Sequence, residues 1–273
     1  MQSIVFPIGF IRANIFAALL CILLPVLFLW YYKRKTGVKL SSFFIGAAFC
    51  LLFTFLAYSI LNIVILSGLG LTDFFSVSKH PIYSAIYCSC SQGLVSTIGC
   101  YVGLKYAMKN RPGKESALVF GVGMGGFECI LNGTTVYITN LIAAILINSV
   151  GSAEYFKKLG LTGKELAESQ KLFADQAATP ASVFLIDATY LILSLVLYAA
   201  ITMLVFRAIE NKETYLVAVA IALHILGYAP MYLRNIPLFE NSMVLFIIAT
   251  IYTFAIALFG YQTYQGLKSE KKR

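Results

Sequence analysis

The chain has 273 residues, of which 59% are hydrophobic and 12% charged, about half the charged share of an average soluble protein. So few charged side chains could not cover the outside of a soluble domain of this size, so a soluble globular fold is excluded. The net charge of +9 does not indicate a nucleic-acid partner, because most Lys and Arg residues lie in short segments beside apolar runs. The composition indicates a polytopic membrane protein.

Seven apolar runs are long enough to cross a bilayer, since a membrane helix needs about 20 residues. They are residues 11–30, 41–65, 82–108, 117–147, 181–206, 215–233 and 242–264. The fourth run is too long for a simple span, and we expect it to tilt or to break at Asn132-Gly133, because Asn-Gly favours a turn. The sequence predicts an all-α fold, a bundle of about seven transmembrane helices in a single membrane domain over residues 1–273.

The largest segment outside these runs is the loop 148–180. Thr162 and Glu165 have the spacing of a capping box, in which each side chain bonds the other residue's backbone N–H. This predicts a short surface helix from about residue 163 to 177. Its apolar stripe is thin (Leu166, Phe173 and Ala177), which is typical of a helix that lies on a surface.

Basic residues are unevenly placed along the chain. Most lie in the loops after the first, third and fifth spans and in the C-terminal tail 268–273. Basic loops stay on the cytoplasmic side of a membrane, so we expect a multi-pass protein of the cell membrane with its N-terminus outside and its C-terminus cytoplasmic. The lipid bilayer is the partner implied, and the basic loops also suit anionic headgroups.

An ionisable residue, Glu128, lies in the fourth run close to Gly125, Gly126 and Asn132. A charge at bilayer depth costs about 2.5–3.5 kcal/mol on insertion scales, so such a carboxylate marks a candidate functional site. Glycines let a second helix or a ligand approach the backbone closely.

Other polar residues lie in the fifth and sixth runs, among them Asp187, Tyr198 and His224. Because lipid exposure of these groups is costly, we expect their faces to point at one another and at Glu128. Two interpretations stay open: buried polar contacts that hold the helices together, or a polar cavity at mid-membrane that includes Gly125, Gly126, Asn132 and Asp187.

Small residues recur at helical spacing in two of the runs. The third run carries Ser89, Gly93, Ser96, Cys100 and Gly103, and the fourth carries Gly121 and Gly125. Such stripes bring backbones close together in lipid. We expect the two stripes to face one another or a shared neighbour.

Residues 123–128 read Gly-Met-Gly-Gly-Phe-Glu, and residues 93–106 precede them on another helix. The segment 93–133 resembles the YhfC family of intramembrane peptidases, relatives of the CAAX-protease and CPBP/Abi membrane enzymes. That family carries Glu-Glu-x-x-Arg on one helix and Gly-His-Gly-Gly-x-Glu on the next. The second motif is kept here except that Met124 replaces the histidine. The resemblance implies a CAAX-protease-like core.

The first family motif is lost. Ser96 and Thr97 stand where the resemblance implies glutamates, and Cys100 stands at the arginine. The family's fifth-span histidine falls at Tyr198, whereas His224 is kept in the sixth run.

These losses imply a pseudoenzyme: a catalytically degenerate member, without a cofactor, that binds a membrane protein or peptide in the former substrate groove. The alternative is an active intramembrane (metallo)peptidase that uses Glu128 and His224, with zinc or another divalent metal only in that case. Zinc needs three protein ligands, for which Asp187 is a distant third candidate.

A second alternative is a small-molecule transporter subunit, because Gly-interrupted helices also suit transport sites. Cys100 and Met124 would permit a Cu(I) site, although packing is the ordinary role of Met.

Overall fold

The computed structural model describes residues 4–111, 113–234, 236, 239 and 243–267. Over these residues the chain forms helices and no strand, which confirms the all-α polytopic membrane fold. The basic tail 268–273, on which part of the predicted orientation rests, lies outside the described residues. The orientation stays a prediction.

The helices of the described chain are α1 (Ile8–Thr36), α2 (Ser41–Gly68), α3 (Pro81–Val102), α4 (Lys114–Val150), α5 (Ser152–Lys158), α6 (Gly163–Ala178), α7 (Ala181–Glu210), α8 (Tyr215–Leu233) and α9 (Met243–Gly266). Six of them are long and apolar enough to cross a membrane: α1, α2, α4, α7, α8 and α9. They coincide with six of the seven predicted spans.

The remaining predicted span, 82–108, is helical as well. It forms α3 and continues as a π-helical turn over Gly103–Ala107. Its buried face carries polar residues such as Ser89, Gln92 and Ser96, so α3 is less apolar than the other six. It packs along α8 and against the middle of α2, which places it among the membrane helices of its unit.

Of the two alternatives for the fourth run, a tilt or a break at Asn132-Gly133, the structure excludes the break. Gly133 has helical backbone angles (φ −63°, ψ −45°), and α4 continues through a π-helical stretch at Thr134–Ile138. The turn preference of Asn-Gly is overridden because lipid offers no partner for a backbone group that leaves the helix. The π-helical stretch widens the helix locally and keeps its hydrogen bonds inside the segment.

The segment 148–180 contains two helices where one was predicted. α6 matches the predicted surface helix, but within the described chain the Thr162 side chain makes no cap bond, so the capping box is wrong. α5 was not predicted because a seven-residue helix is too short to show a clear apolar period. Phe156 of α5 and Phe173 of α6 pack ring to ring, with centroids 5.6 Å apart.

The chain divides into two compact units, of which the first comprises residues 1–23 and 130–189. In this unit the Asn148 side chain bonds both backbone groups of Phe6, at 2.8 Å each. The Asn140 amide donates to the Asn14 side chain at 3.0 Å. These amide bonds fix the N-terminal segment to α4.

The second unit comprises residues 24–129 and 190–273. Its core is built on α7, whose Leu197, Ile201 and Leu204 pack with Phe120 and Met124 of α4. The candidate site described below lies in this unit. The single domain over residues 1–273 stays a prediction.

Candidate functional site

Glu128 is buried, with 3% of its surface exposed. The hydroxyl of Tyr228 on α8 lies 3.0 Å from one carboxylate oxygen and 3.3 Å from the other, and it donates to this group. The same hydroxyl lies 3.0 Å from that of Tyr198 on α7. A phenol has a single hydrogen, so the Tyr228 hydroxyl donates either to Glu128 or to Tyr198 at any one time, and Tyr198 donates to Ser96.

The hydrogen bonds continue from Tyr198 into two further helices. Its hydroxyl lies 2.9 Å from Ser96 on α3 and 3.0 Å from Thr54 on α2. Ser96 and Thr54 lie 3.3 Å from one another. We call Glu128, Tyr228, Tyr198, Ser96 and Thr54 the hydroxyl network. It joins five helices through buried groups that satisfy one another.

His224 lies beside this network and is fully buried. Its Nδ1 lies 3.0 Å from the Thr97 hydroxyl, which itself donates to the Gly93 carbonyl at 2.8 Å. The Thr97 hydrogen is thus in use, so Nδ1 carries the proton and donates to Thr97. Nε2 is left with a bare lone pair and makes no hydrogen bond to any described residue.

Two tyrosines enclose the His224 ring. The Tyr228 ring stacks on it, with centroids 5.1 Å apart and planes 20° apart. The Tyr198 ring meets it edge-on at 4.7 Å. Tyr228 therefore contacts both surviving family residues, His224 with its ring and Glu128 with its hydroxyl.

Cys100 and Met124 occupy ordinary packing positions. The Cys100 thiol lies 3.4 Å from the Thr202 hydroxyl of α7. Met124 is fully buried and belongs to the core cluster that also contains Cys100 and Tyr198. Both side chains are buried.

The two small-residue stripes share α7 as a neighbour, which confirms that expectation. Thr202 contacts Cys100 and lies against Gly121, where an added Cβ would collide with it. Tyr198 bonds Ser96 and lies against Gly125, where an added Cβ would fall 2.8 Å from the Tyr198 Cβ. The polar contacts and the close backbone approach occur on the same face.

The structure brings some predicted site residues together and leaves others apart from them. Glu128, Ser96, Thr97, Tyr198 and His224 meet directly or through Tyr228, as described above. Gly126 belongs to the same unit, and an added Cβ there would fall 3.1 Å from Pro25.

Asn132 and Asp187 are half-buried residues of the first unit. Their part in a shared cavity stays a prediction.

Sequence reasoning missed two members of the network. Tyr228 is not among the predicted site residues. Thr54 was not noted, although it is the single hydroxyl in the apolar stretch Cys50–Ala57. That stretch is π-helical, a local feature that is frequent at functional sites but has no clear sequence signature.

The donor set does not fit a zinc centre. Zinc needs three protein ligands and an open position for water. Among the described residues, no three of His, Cys, Asp and Glu lie close enough together to hold a metal ion. The His224 Nε2 lone pair could serve as one ligand. The Glu128 carboxylate, however, accepts a hydrogen bond from Tyr228.

The arrangement is suited to holding helices together. A general base must reach a water molecule or the proton that it removes, whereas Glu128 is buried and bonded by Tyr228. Each buried hydrogen bond of this kind contributes about 0.5–1.5 kcal/mol to stability. These bonds connect α2, α3, α4, α7 and α8.

The similarity to known proteins extends over most of the chain. Residues 20–249 match the family model described as YhfC intramembrane metalloprotease. The uncharacterized membrane protein YhfC of Bacillus subtilis (strain 168) is 27% identical over 243 residues, which cover 88% of this chain and 92% of that protein. No solved structure matches the chain, so the CAAX-protease-like core stays a prediction.

Proposed function

The chain belongs to the YhfC family, and we propose that it is a catalytically degenerate member that acts by binding a membrane protein or peptide. The observation that carries this proposal is the pairing of the altered motif positions. Ser96 bonds Tyr198, Thr97 bonds His224, and Cys100 contacts Thr202. The altered motif positions thus have buried polar partners, which supports a role in packing rather than in catalysis.

The partner would contact the motif helices from outside, because the motif residues themselves are buried. Leu94 and Ile98 of α3 flank Ser96 and Thr97 in sequence and are each 40% exposed. A partner that lies along the former substrate groove would cover this exposed side of α3.

The decisive experiment compares three strains that carry Glu128→Gln, His224→Ala or the matched surface control Glu154→Gln. An amide keeps the shape and most hydrogen bonds of Glu128 but cannot act as a base. We expect all three strains to show the parent's pattern of membrane-protein cleavage, measured by mass spectrometry of newly formed peptide termini. Protein levels are measured in parallel, because His224→Ala also removes ring contacts.

Loss of the same cleavage products in the Glu128 and His224 strains, at normal protein levels and with the control unaffected, would contradict the degenerate assignment. It would favour the alternative, an active peptidase that uses both residues. One observation favours that alternative: Nε2 of His224 keeps a bare lone pair beside Tyr228, and an active site needs such a group.

The partner itself can be sought with a photo-crosslinking amino acid at Ile98. A matched position is Leu258 on α9, which is 63% exposed. We expect a discrete protein adduct at position 98 that is absent at position 258. Identical adducts at both positions would indicate contact with lipid or with abundant membrane proteins only, and would contradict a binding role for this face.

A further inference from the structure

Basic side chains from two segments of the chain, at the end of α1 and before α4, lie at one end of the second unit. The last turn of α1 supplies Lys33, Arg34 and Lys35. The loop between α3 and α4 supplies Arg111, and the first residue of α4 is Lys114. Lys39 and Lys109 add to the same two segments, in which Glu115 is the single acidic residue over 33–39 and 105–115.

Specific contacts hold the ends of three helices together here. The hydroxyls of Tyr32 on α1 and Tyr264 on α9 lie 2.6 Å apart. The Lys114 ammonium lies 4.6 Å from the centre of the Tyr264 ring. Val38, in the turn after α1, packs in one cluster with Val119 of α4. The basic segments therefore converge on one fixed place.

Arg111 provides the observation that points to a ligand. Its backbone N–H donates to the Met108 carbonyl at 2.8 Å, which fixes the loop. Its side chain is half-buried, and Nη1 is buried without a hydrogen bond to any residue that the structure describes. A buried charged donor without a partner is costly, so an anion that reached this half-buried guanidinium would be bound favourably.

The surroundings of the cluster are those of a membrane interface. Trp30 and Tyr31 on α1 are 59% and 56% exposed. Arg34 lies 5.7 Å from the Trp30 ring and Lys35 lies 5.9 Å from the Tyr31 ring. Exposed aromatic rings paired with basic side chains mark the headgroup level of a bilayer. Lipid phosphates lie at this depth and accept hydrogen bonds.

We propose that Arg111 and the surrounding basic side chains bind the phosphate of an anionic phospholipid. The guanidinium supplies a planar pair of donors that match phosphate oxygens. Lys114 and the lysines at the end of α1 supply further positive charge. The inference does not depend on whether the motif residues are catalytic.

The test is native mass spectrometry of the full-length protein with phosphatidylglycerol or phosphatidylcholine of identical acyl chains. We expect preferential retention of phosphatidylglycerol and a loss of about tenfold in Arg111→Gln, as for a hydrogen bond to a charged group. The control Lys164→Gln removes an equal charge from α6, where the lysine is exposed, and should bind like the parent. Equal retention of the two lipids, or equal retention by both variants, would overturn the proposal.

Two further measurements keep the test decisive. An excess of inorganic phosphate should not displace the lipid, and displacement would overturn the lipid as the source of the phosphate group. If Arg111→Gln does not fold, the binding comparison is replaced by thermal unfolding of the parent protein in each lipid. Phosphatidylglycerol should then raise the midpoint above that in phosphatidylcholine, and identical midpoints would contradict the proposal.

Discussion

Tyr228 makes two contacts in the buried site, one with His224 and one with Glu128. Its ring covers one face of His224, and its hydroxyl donates to Glu128. Tyr228 therefore occupies the Glu128 carboxylate with a hydrogen bond and covers one face of the His224 imidazole. The two residues that survive from the family motifs are thus held by a third that supports packing.

Removing the Tyr228 hydroxyl should destabilise the protein. In Tyr228→Phe the Glu128 carboxyl stays buried and loses the hydrogen bond from Tyr228, which costs about 1–3 kcal/mol. The measurement is the unfolding midpoint in detergent by circular dichroism. Tyr261→Phe is the control, because Tyr261 is 58% exposed, and it should unfold like the parent. An unchanged midpoint in Tyr228→Phe would show that the network does not stabilise the fold.

The residues of the site were only partly predictable. Glu128, Tyr198 and His224 are recognisable as polar residues within apolar runs, and the family resemblance adds Ser96, Thr97 and Cys100. Thr54 and Tyr228 were not predicted, because their partners lie 144 and 100 residues away in the chain. Neither apolar periodicity nor a local motif carries information about which hydroxyls meet across helices.

At the scale of elements, α7 and α2 differ in how much protein surrounds them. In its most apolar stretch, 72% of α7 is buried inside the protein, whereas the value for α2 is 11%. Both read as similar apolar runs, because lipid and a protein core favour the same side chains. The sequence therefore predicted both helices but not which of them would be central.

The close approach of α7 to α4 depends on Gly125. An added Cβ would fall 2.8 Å from the Leu195 Cα, so Gly125→Leu should force the helices apart and cost about 1–3 kcal/mol. The control is Gly68→Leu at the end of α2, where an added Cβ would meet only the Ile63 carbonyl at 3.8 Å.

The two glycine variants are compared by yield and by unfolding midpoint in detergent. We expect a lower midpoint for Gly125→Leu and a midpoint like the parent's for Gly68→Leu. Equal midpoints for the two would mean that the tight interface between α4 and α7 does not limit stability.

At the scale of the whole molecule, the orientation in the membrane is open to a direct test. We introduce Asn110→Cys or Lys164→Cys into a Cys90→Ser background, since Cys90 is the exposed one of the described cysteines. A membrane-impermeant maleimide should label position 164 in intact cells and position 110 only after permeabilisation. Basic loops favour this arrangement.

The opposite labelling pattern would reverse the predicted orientation. Labelling of both positions in intact cells would contradict an odd number of crossings between them. The segment 109–116 and the loop 148–180 flank α4, so this pair of sites tests that helix directly.

The absence of a break in α4 has a mechanical consequence. A helix of 37 residues is about 55 Å long, and at a tilt of 40°, the steep end of the observed range, it still rises about 42 Å. The hydrocarbon layer is about 30 Å thick. Several turns of α4 must therefore lie in the headgroup layer or in water. A change in lipid chain length would then change how many residues of α4 lie outside the hydrocarbon layer.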